Sequence, residues 1–367
     1  MTTDTVGGVW TYTCELVVGL LQADASLEIY LFTVGTSSRL EQHGWLRSMR
    51  ERYRGRFSFT VTALPLEWEQ RNAEVDPLEP RLQHIAQQFR PDLLHSNQFC
   101  YGALPLDCPK LIVAHSDVLS WHREVHGTMP ESSEWLLRYE WLVRSGVHGA
   151  SALTAPTLWM LQAFNEGFSS DIAACVIPNG IGLRVDLAQE RRLQAVAAGR
   201  LWDAGKNVAL LQDVEPAMPV LVAGSSKHDD VRFTWQNSRN IELLGDLTHR
   251  EVLRLFAGSA IYISTAKYEP FGLSALEAAR SGCAVLSLDI ASMREVWGEG
   301  AIYFRNADEL SDQLAHLANY MPDFQEAQRR AILTSRQYTR ERMANTYLSV
   351  YRELVGLPPL DKAPFRA

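Results

Sequence analysis

Several things scarce in this 367-residue chain narrow what it can be. Cysteines are few and odd in number: Cys14, Cys100, Cys108, Cys175 and Cys283 form no CxxC pair. That usage fits reduced thiols in a cytoplasm better than a disulfide framework. No apolar run approaches the roughly 18 residues that a membrane span needs, and the start carries no signal-peptide pattern. A soluble cytoplasmic protein is therefore expected. Cations are outnumbered, 35 Lys and Arg against 43 Asp and Glu, for a net charge of −8. This argues against non-specific nucleic-acid binding, which relies on clustered positive charge. Low-complexity blocks and internal repeats are absent. So is the GxGxxG dinucleotide fingerprint. No DxD motif follows an apolar strand, so neither a metal nor any other cofactor is expected.

What is present is alternation. Short β-branched runs read as strands at 27–33, 57–63, 92–95, 111–115, 151–155 and 175–178. In the second half they read at 195–199, 220–224, 241–245, 260–264, 284–288 and 301–304. Amphipathic stretches between them read as helices, among them 9–21, 40–53, 78–89, 131–147, 157–166, 206–214, 248–257, 272–281 and 307–319. Alternation of this kind predicts an α/β protein with parallel sheets. Its length predicts two doubly wound, Rossmann-like domains of about six strands each, residues 1–180 and 190–335, joined through a hinge at 179–193. A closing helix at about 339–357 is expected to pack back on the first domain. Only Met1–Thr5 precede the turn "VGGVW". The first strand is therefore expected to be unusually short, or the chain to start downstream of its natural beginning. In such folds ligands lie outside the carboxyl ends of the strands.

Tyr268–Gly282, "YEPFGLSALEAARSG", lies at such a strand end. Gly272, Leu273 and Ser274 fall on the first turn of a helix, whose N–H groups lack partners within the helix. That end carries about half a positive charge and seats phosphate. Gly272 lets a ligand approach the backbone closely. Glu269 and Glu277 flank the turn, and acceptor-only carboxylates suit the hydroxyls of a ribose or hexose. Either glutamate alone reads as a helix-start or solvated charge, but the whole string does not. In "AAGRLWDAGKN", Arg200 and Lys206 stand at another strand end, where two cations can neutralise a diphosphate.

Other features carry less. The glycine pair Gly7-Gly8 opens the first helix and is by default a simple turn. His115 ends the apolar strand "LIVAHSD", where a core or turn role and a ligand-facing role weigh about equally. His122 and His126 are four apart, but Arg123 stands where a metalloprotease has Glu, so a metal site is disfavoured. Between Arg39 and Phe57 the chain has six arginines against two glutamates. Such a stretch suits contact with an anionic membrane. Residues 1–180 are nonetheless net −7, which favours a solvated helix face.

Taken together, "GGVWTYTCELVVGL", "AHSD", "VIPNGI", "GRLWDAGKN" and "YEPFGLSALEA" stand in the order seen in glycosyltransferase family four, and the chain resembles that family over nearly its whole length. The most specific element is the pair of glutamates with seven residues between them, Pro-Phe-Gly among those seven. The resemblance implies the GT-B fold, two Rossmann-like domains facing across a cleft, and retaining transfer from a nucleotide-diphosphate sugar to an acceptor. It implies that Glu277 binds the ribose, that Glu269 faces the sugar hydroxyls, and that Phe271, Gly272, Leu273 and Ser274 lie along sugar and phosphates. Arg200 and Lys206 would bind the diphosphate, Gly7 and Gly8 would approach it, and His115 would contact the sugar near the reacting centre. Two departures stand out: Ile181-Gly182 follow "PNG" where the family often has Asp, and "AGSSKHD" lacks a second glycine. Alternatives on the same architecture are a sugar-nucleotide epimerase or a phosphorylase; outside enzymes, a non-catalytic sugar-nucleotide-binding protein.

Overall fold

A computed structural model describes residues 1–5, 7–35, 40–182, 191–228, 231–232, 234–235 and 240–358. The expected hinge at 179–193 lies partly outside these residues. The chain divides into two compact units. One comprises Met1–Ser120, Met129–Gly182 and the segment beginning at Thr339; the other comprises Trp121–Thr128 and Leu183–Tyr338.

The first unit holds strands β1 (Thr2–Asp4), β2 (Ile29–Val34), β3 (Phe57–Val61), β4 (Leu94–Ser96), β5 (Lys110–Val113), β6 (Ala152–Ala155) and β7 (Ala174–Val176). Counting β1, that is seven rather than six among the described residues. They form two parallel sheets, β1-β2-β3 and β4-β5-β6-β7. Side chains link β1 to β4: Thr2 Oγ1 lies 2.9 Å from Ser96 Oγ, and Asn97 Nδ2 donates to the Thr2 carbonyl at 2.7 Å. Helices α1 (Gly8–Ala23), α2 (Leu40–Arg52), α3 (Pro80–Phe89), α5 (Glu134–Gly149) and α6 (Leu158–Phe168) fill the connections. Between α3 and α5 comes α4 (Val118–His126), which runs across the boundary of the two units.

α1 shows how apolar spacing fixes packing. Tyr12, Leu16, Val17 and Leu20 recur at helical spacing and are buried, each such side chain contributing roughly 1.5–3 kcal/mol. Beside that face, Tyr12, Glu15 and Gly19 meet α12 (Arg340–Leu354), the last helix described and part of the first unit. Tyr12 and Tyr347 approach to 6.1 Å between ring centroids, and Arg340 Nε donates to Glu15 Oε2 at 2.5 Å. The same Glu15 oxygen accepts the Gly182 N–H at 2.8 Å. Ile181 pairs with Thr339 as an isolated parallel bridge. Gly180 permits that crossing, since a Cβ there would fall 2.1 Å from the Thr339 carbonyl oxygen.

The second unit is built on β8 (Arg192–Ala198), β9 (Val220–Ala223), β12 (Ile241–Gly245), β13 (Ser259–Ser264), β14 (Ala284–Leu288) and β15 (Ile302–Phe304), with a two-residue hairpin, β10 (Lys227–His228) and β11 (Val231–Arg232), beside them. The main sheet is six-stranded and parallel in the order β12-β9-β8-β13-β14-β15. Its helices are α7 (His249–Ala257), α8 (Leu273–Arg280), α9 (Ala291–Trp297), α10 (Ala307–Asn319) and α11 (Met321–Ser335). β8 and β13 lie side by side at the sheet's centre, where order reverses between β9 and β14. Arg200 and Glu269 follow the carboxyl ends of these two strands.

Candidate functional site

The loops after β8 and β13 are knitted together by their backbones. The Gly205 carbonyl accepts from Lys267 N and Tyr268 N at 2.9 and 3.3 Å. Thr265 Oγ1 donates to the Lys206 carbonyl at 2.8 Å, and Asn207 Nδ2 donates to the Thr265 carbonyl at 3.2 Å. The helix expected over 206–214 is instead two 3-10 turns, Ala204–Lys206 and Val208–Asp213. Asn207 sits between them in the left-handed region, φ +49°, which ends the first turn and turns Lys206 toward the neighbouring loop.

Lys206 and Glu269 meet there. Lys206 Nζ donates to Glu269 Oε2 at 2.6 Å, and Glu269 Oε1 accepts the Gly272 N–H at 3.2 Å. Gly272 caps α8 with φ +88°, a conformation that glycine adopts without strain. Both charged side chains line a depression with Ala198, Leu201 and Thr265. Phe271 turns inward, 3 % exposed and edge-on to Tyr338 at 5.3 Å, so only its backbone is presented. Leu273 and Ser274 are half-buried on the first turn.

Arg200 is held by Asp203, which the sequence reading passed over although it lies inside "GRLWDAGKN". Arg200 donates to Asp203 Oδ2 at 2.6 Å and lies over the Trp202 ring at 5.3 Å. Asp203 Oδ1 accepts from Gly205 N at 2.8 Å and Trp121 Nε1 at 3.3 Å. Burial alone would raise this carboxyl, but the charges of Arg200 and Lys206 and the Gly205 N–H hold it below the usual carboxylate range. Arg200 Nε is buried and has no partner among the described residues.

Glu277 lies one turn into α8, 5 % exposed, where its Oε1 accepts from His249 Nε2 at 2.7 Å. His249 was not singled out in the sequence. The only signal there is "THRE", which marks a capping box and hence where α7 begins.

In the first unit, His115 Nε2 and Asn97 Oδ1 lie 2.8 Å apart. Asn97 must direct its Nδ2 at the Thr2 carbonyl, so its oxygen faces His115, and His115 carries its proton on Nε2. Desolvation pulls the His115 pKa down to about 3. The ring packs edge-on to Tyr12 at 4.5 Å. Gly7 and Gly8 are exposed, with Gly7 at φ +60° as the cap of α1. His122 donates from Nδ1 to the Thr128 carbonyl at 2.7 Å. Among the described residues no three His, Cys, Asp or Glu side chains converge as a cation would require. Nor is any described helix long and apolar enough to cross a membrane.

Thus Arg200, Lys206, Glu269, Gly272, Leu273, Ser274 and Glu277 gather at one end of the second unit's sheet. Residues 6–185 match the family model "Glycosyltransferase Family 4", and residues 203–334 match "Glycosyl transferases group 1". The chain belongs to the family-four glycosyltransferases. This glycosyltransferase-family chain is 26% identical over 275 residues to glycogen synthase of Mycobacterium tuberculosis, covering 66% of this chain and 63% of that one. It is 24% identical over 174 residues to an uncharacterized 41.2 kDa protein in the cps region of Klebsiella pneumoniae, covering 45% and 47%. It thus spans about half to under two thirds of the length of these curated relatives. Sucrose-phosphate synthase from Thermosynechococcus elongatus matches its structure with a TM-score of 0.66 at 15% identity, covering 97% of this chain and 96% of that one. The architecture is GT-B, built from two Rossmann-like domains.

Proposed function

We propose that the protein is a retaining glycosyltransferase that moves a sugar from a nucleotide-diphosphate sugar to an acceptor hydroxyl. The observation that carries this reading is the Lys206–Glu269 pair at the start of α8. It sets a cation, a carboxylate and open helix N–H groups side by side, the set a sugar diphosphate calls for. Arg200, whose buried Nε lacks a partner among the described residues, supports it.

In this reading Lys206 and Arg200 bind the diphosphate and stabilise the charge it gains on leaving. Glu269 accepts from the sugar hydroxyls, Glu277 from the ribose, and the backbone from Phe271 to Ser274 lies along sugar and phosphates. Gly7 and Gly8 present backbone N–H groups to the diphosphate, and neutral His115 hydrogen-bonds the sugar. The acceptor oxygen forms the new bond to the anomeric carbon on the face that the diphosphate leaves. A departing phosphate oxygen takes the acceptor's proton, so no glycosyl-enzyme forms. The cations already serve the leaving group, so turnover should survive EDTA. Five unpaired cysteines suit work in a reducing cytoplasm.

Thermal shift against UDP-, GDP- and ADP-sugars identifies the donor, since ligand at a hundred times Kd adds about 2.7 kcal/mol. Proton NMR of fresh product then tests the chemistry. An α-donor should yield an α-linked product, and a β-linked one would overturn the mechanism.

A further inference from the structure

The Glu277 carboxylate is gripped from a second helix. His249 is the first residue of α7, whose start is fixed by reciprocal bonds: Thr248 N donates to Glu251 Oε2 at 2.8 Å, and Glu251 N donates to Thr248 Oγ1 at 3.3 Å. From that anchored position the His249 Nε2–H reaches Glu277 Oε1 at 2.7 Å. The Glu277 side chain is 7% exposed and that of His249 52%. A nearly buried carboxylate is therefore held by a ring that reaches it from the surface.

Such a carboxylate is costly to bury without a donor, and His249 supplies one to a single oxygen. Among the described residues none donates to the other, Oε2. A carboxylate already fixed in rotamer loses less freedom when a ligand arrives. We propose that His249 is a positioning residue of the nucleotide site, holding Glu277 by Oε1 so that Oε2 is free to accept from a ribose hydroxyl. This rests on Glu277 being the ribose-binding group. His249 acts through Glu277 and away from the reacting bond. Its loss therefore removes binding that ground state and transition state share, raising KM and sparing kcat.

The test titrates UDP, GDP and ADP by calorimetry into the full chain and into His249→Ala, His249→Gln, Glu277→Gln and the double variant His249→Ala/Glu277→Gln, with melting curves as folding controls. His249 is half exposed, so its variants should melt close to the parent. For the nucleotide that binds best, His249→Ala should lose affinity about ten- to hundredfold, as for a hydrogen bond to a charged group. His249→Gln, whose amide N–H can reach the same oxygen, should recover most of it. The double variant should bind no worse than Glu277→Gln alone. With the matching donor sugar, KM should rise by a similar factor and kcat stay within about twofold. Unchanged binding in His249→Ala beside weakened binding in Glu277→Gln would overturn the positioning role and leave the ribose reading standing. Unchanged binding in Glu277→Gln would remove both. A fall in kcat at constant KM, or no recovery in His249→Gln, would also overturn it.

Discussion

Lys206 Nζ lies 2.6 Å from Glu269 Oε2, so the cation proposed for the diphosphate is neutralised, before any ligand arrives, by the acid proposed for the sugar. Donor binding would separate them, each exchanging one partner for another.

Removing the acid alone should therefore split binding from turnover. In Glu269→Gln the Lys206 ammonium loses its ion-pair partner. Affinity for a sugar-free nucleoside diphosphate should hold or rise a few-fold by calorimetry, while kcat with the sugar donor falls about a hundredfold or more. A parallel loss of both would show that Glu269 serves only to hold Lys206 in place.

Asp203 joins three donors, Arg200, Gly205 N and Trp121 Nε1. Asp203→Ala should destabilise the protein by about 1–3 kcal/mol, the cost of stranding buried donors, and should lower turnover by loosening Arg200. The Asp203 carboxyl is held below its ordinary value. Its contribution is therefore complete above the unfolded pKa near 4 and is lost as pH falls through the lower folded value. Melting temperature should decline more steeply below pH 4 in the parent than in Asp203→Asn.

His115 titrates in the opposite sense to a salt-bridged histidine. Its folded pKa is about 3 against an unfolded value near 6.5, so between these values the unfolded chain binds more protons and stability rises with pH. Denaturant titrations from pH 4 to 7 should show a shallower pH slope in His115→Gln. Some slope should remain, because the buried His95 is depressed as well. No inflection from His115 is expected in the pH–rate profile between 5 and 8. His115→Ala should lower kcat about a hundredfold.

Gly180 tests the crossing of the two chain segments. A methyl group there would sit 2.1 Å from the Thr339 carbonyl oxygen, a backbone atom that cannot swing aside. Gly180→Ala should destabilise the fold by about 1–3 kcal/mol or more, as overpacking does. Gly182→Ala should cost less, because the atoms it meets belong to the long Arg340 side chain. Guanidinium melts of both variants would rank them.

Most strands, and the residues that gather after β8 and β13, were legible because each relies on local signals: β-branched runs, a glycine after a strand, a carboxylate at a helix start. The expected Cys175–Pro178 and Ala301–Phe304 strands differ from β7 and β15 by one or two residues at their ends. α4, α9 and α11 were not anticipated. α11 begins at a Pro-bearing turn and has only Phe324, Ala327, Ala331 and Ser335 buried, too small and polar a stripe to stand out. The 206–214 helix failed at Asn207, whose left-handed backbone reflects its bond to the Thr265 carbonyl, a contact 58 residues away. His249 and Asn97 were illegible for the same reason: each takes its role from a partner on another element. The family likeness marked which residues gather, and the geometry added that the two cations are already paired.

The route of the chain also sets an order of assembly. Residues 183–338 are nearly continuous in sequence, whereas the first unit needs α12, which is synthesised after all of them. Tyr12, Glu15 and Gly19 of α1 face Tyr347, Arg340 and Ala344 of α12, and the Tyr351 hydroxyl lies 2.7 Å from Nδ1 of the buried His95. On the ribosome the leading domain ordinarily completes first. Here the earliest-made half is the last to close, and a nascent chain halted before Thr339 would leave Tyr12, Glu15 and Gly19 of α1 without the helix that covers them, an unsealed seam of the kind that chaperones and proteases recognise.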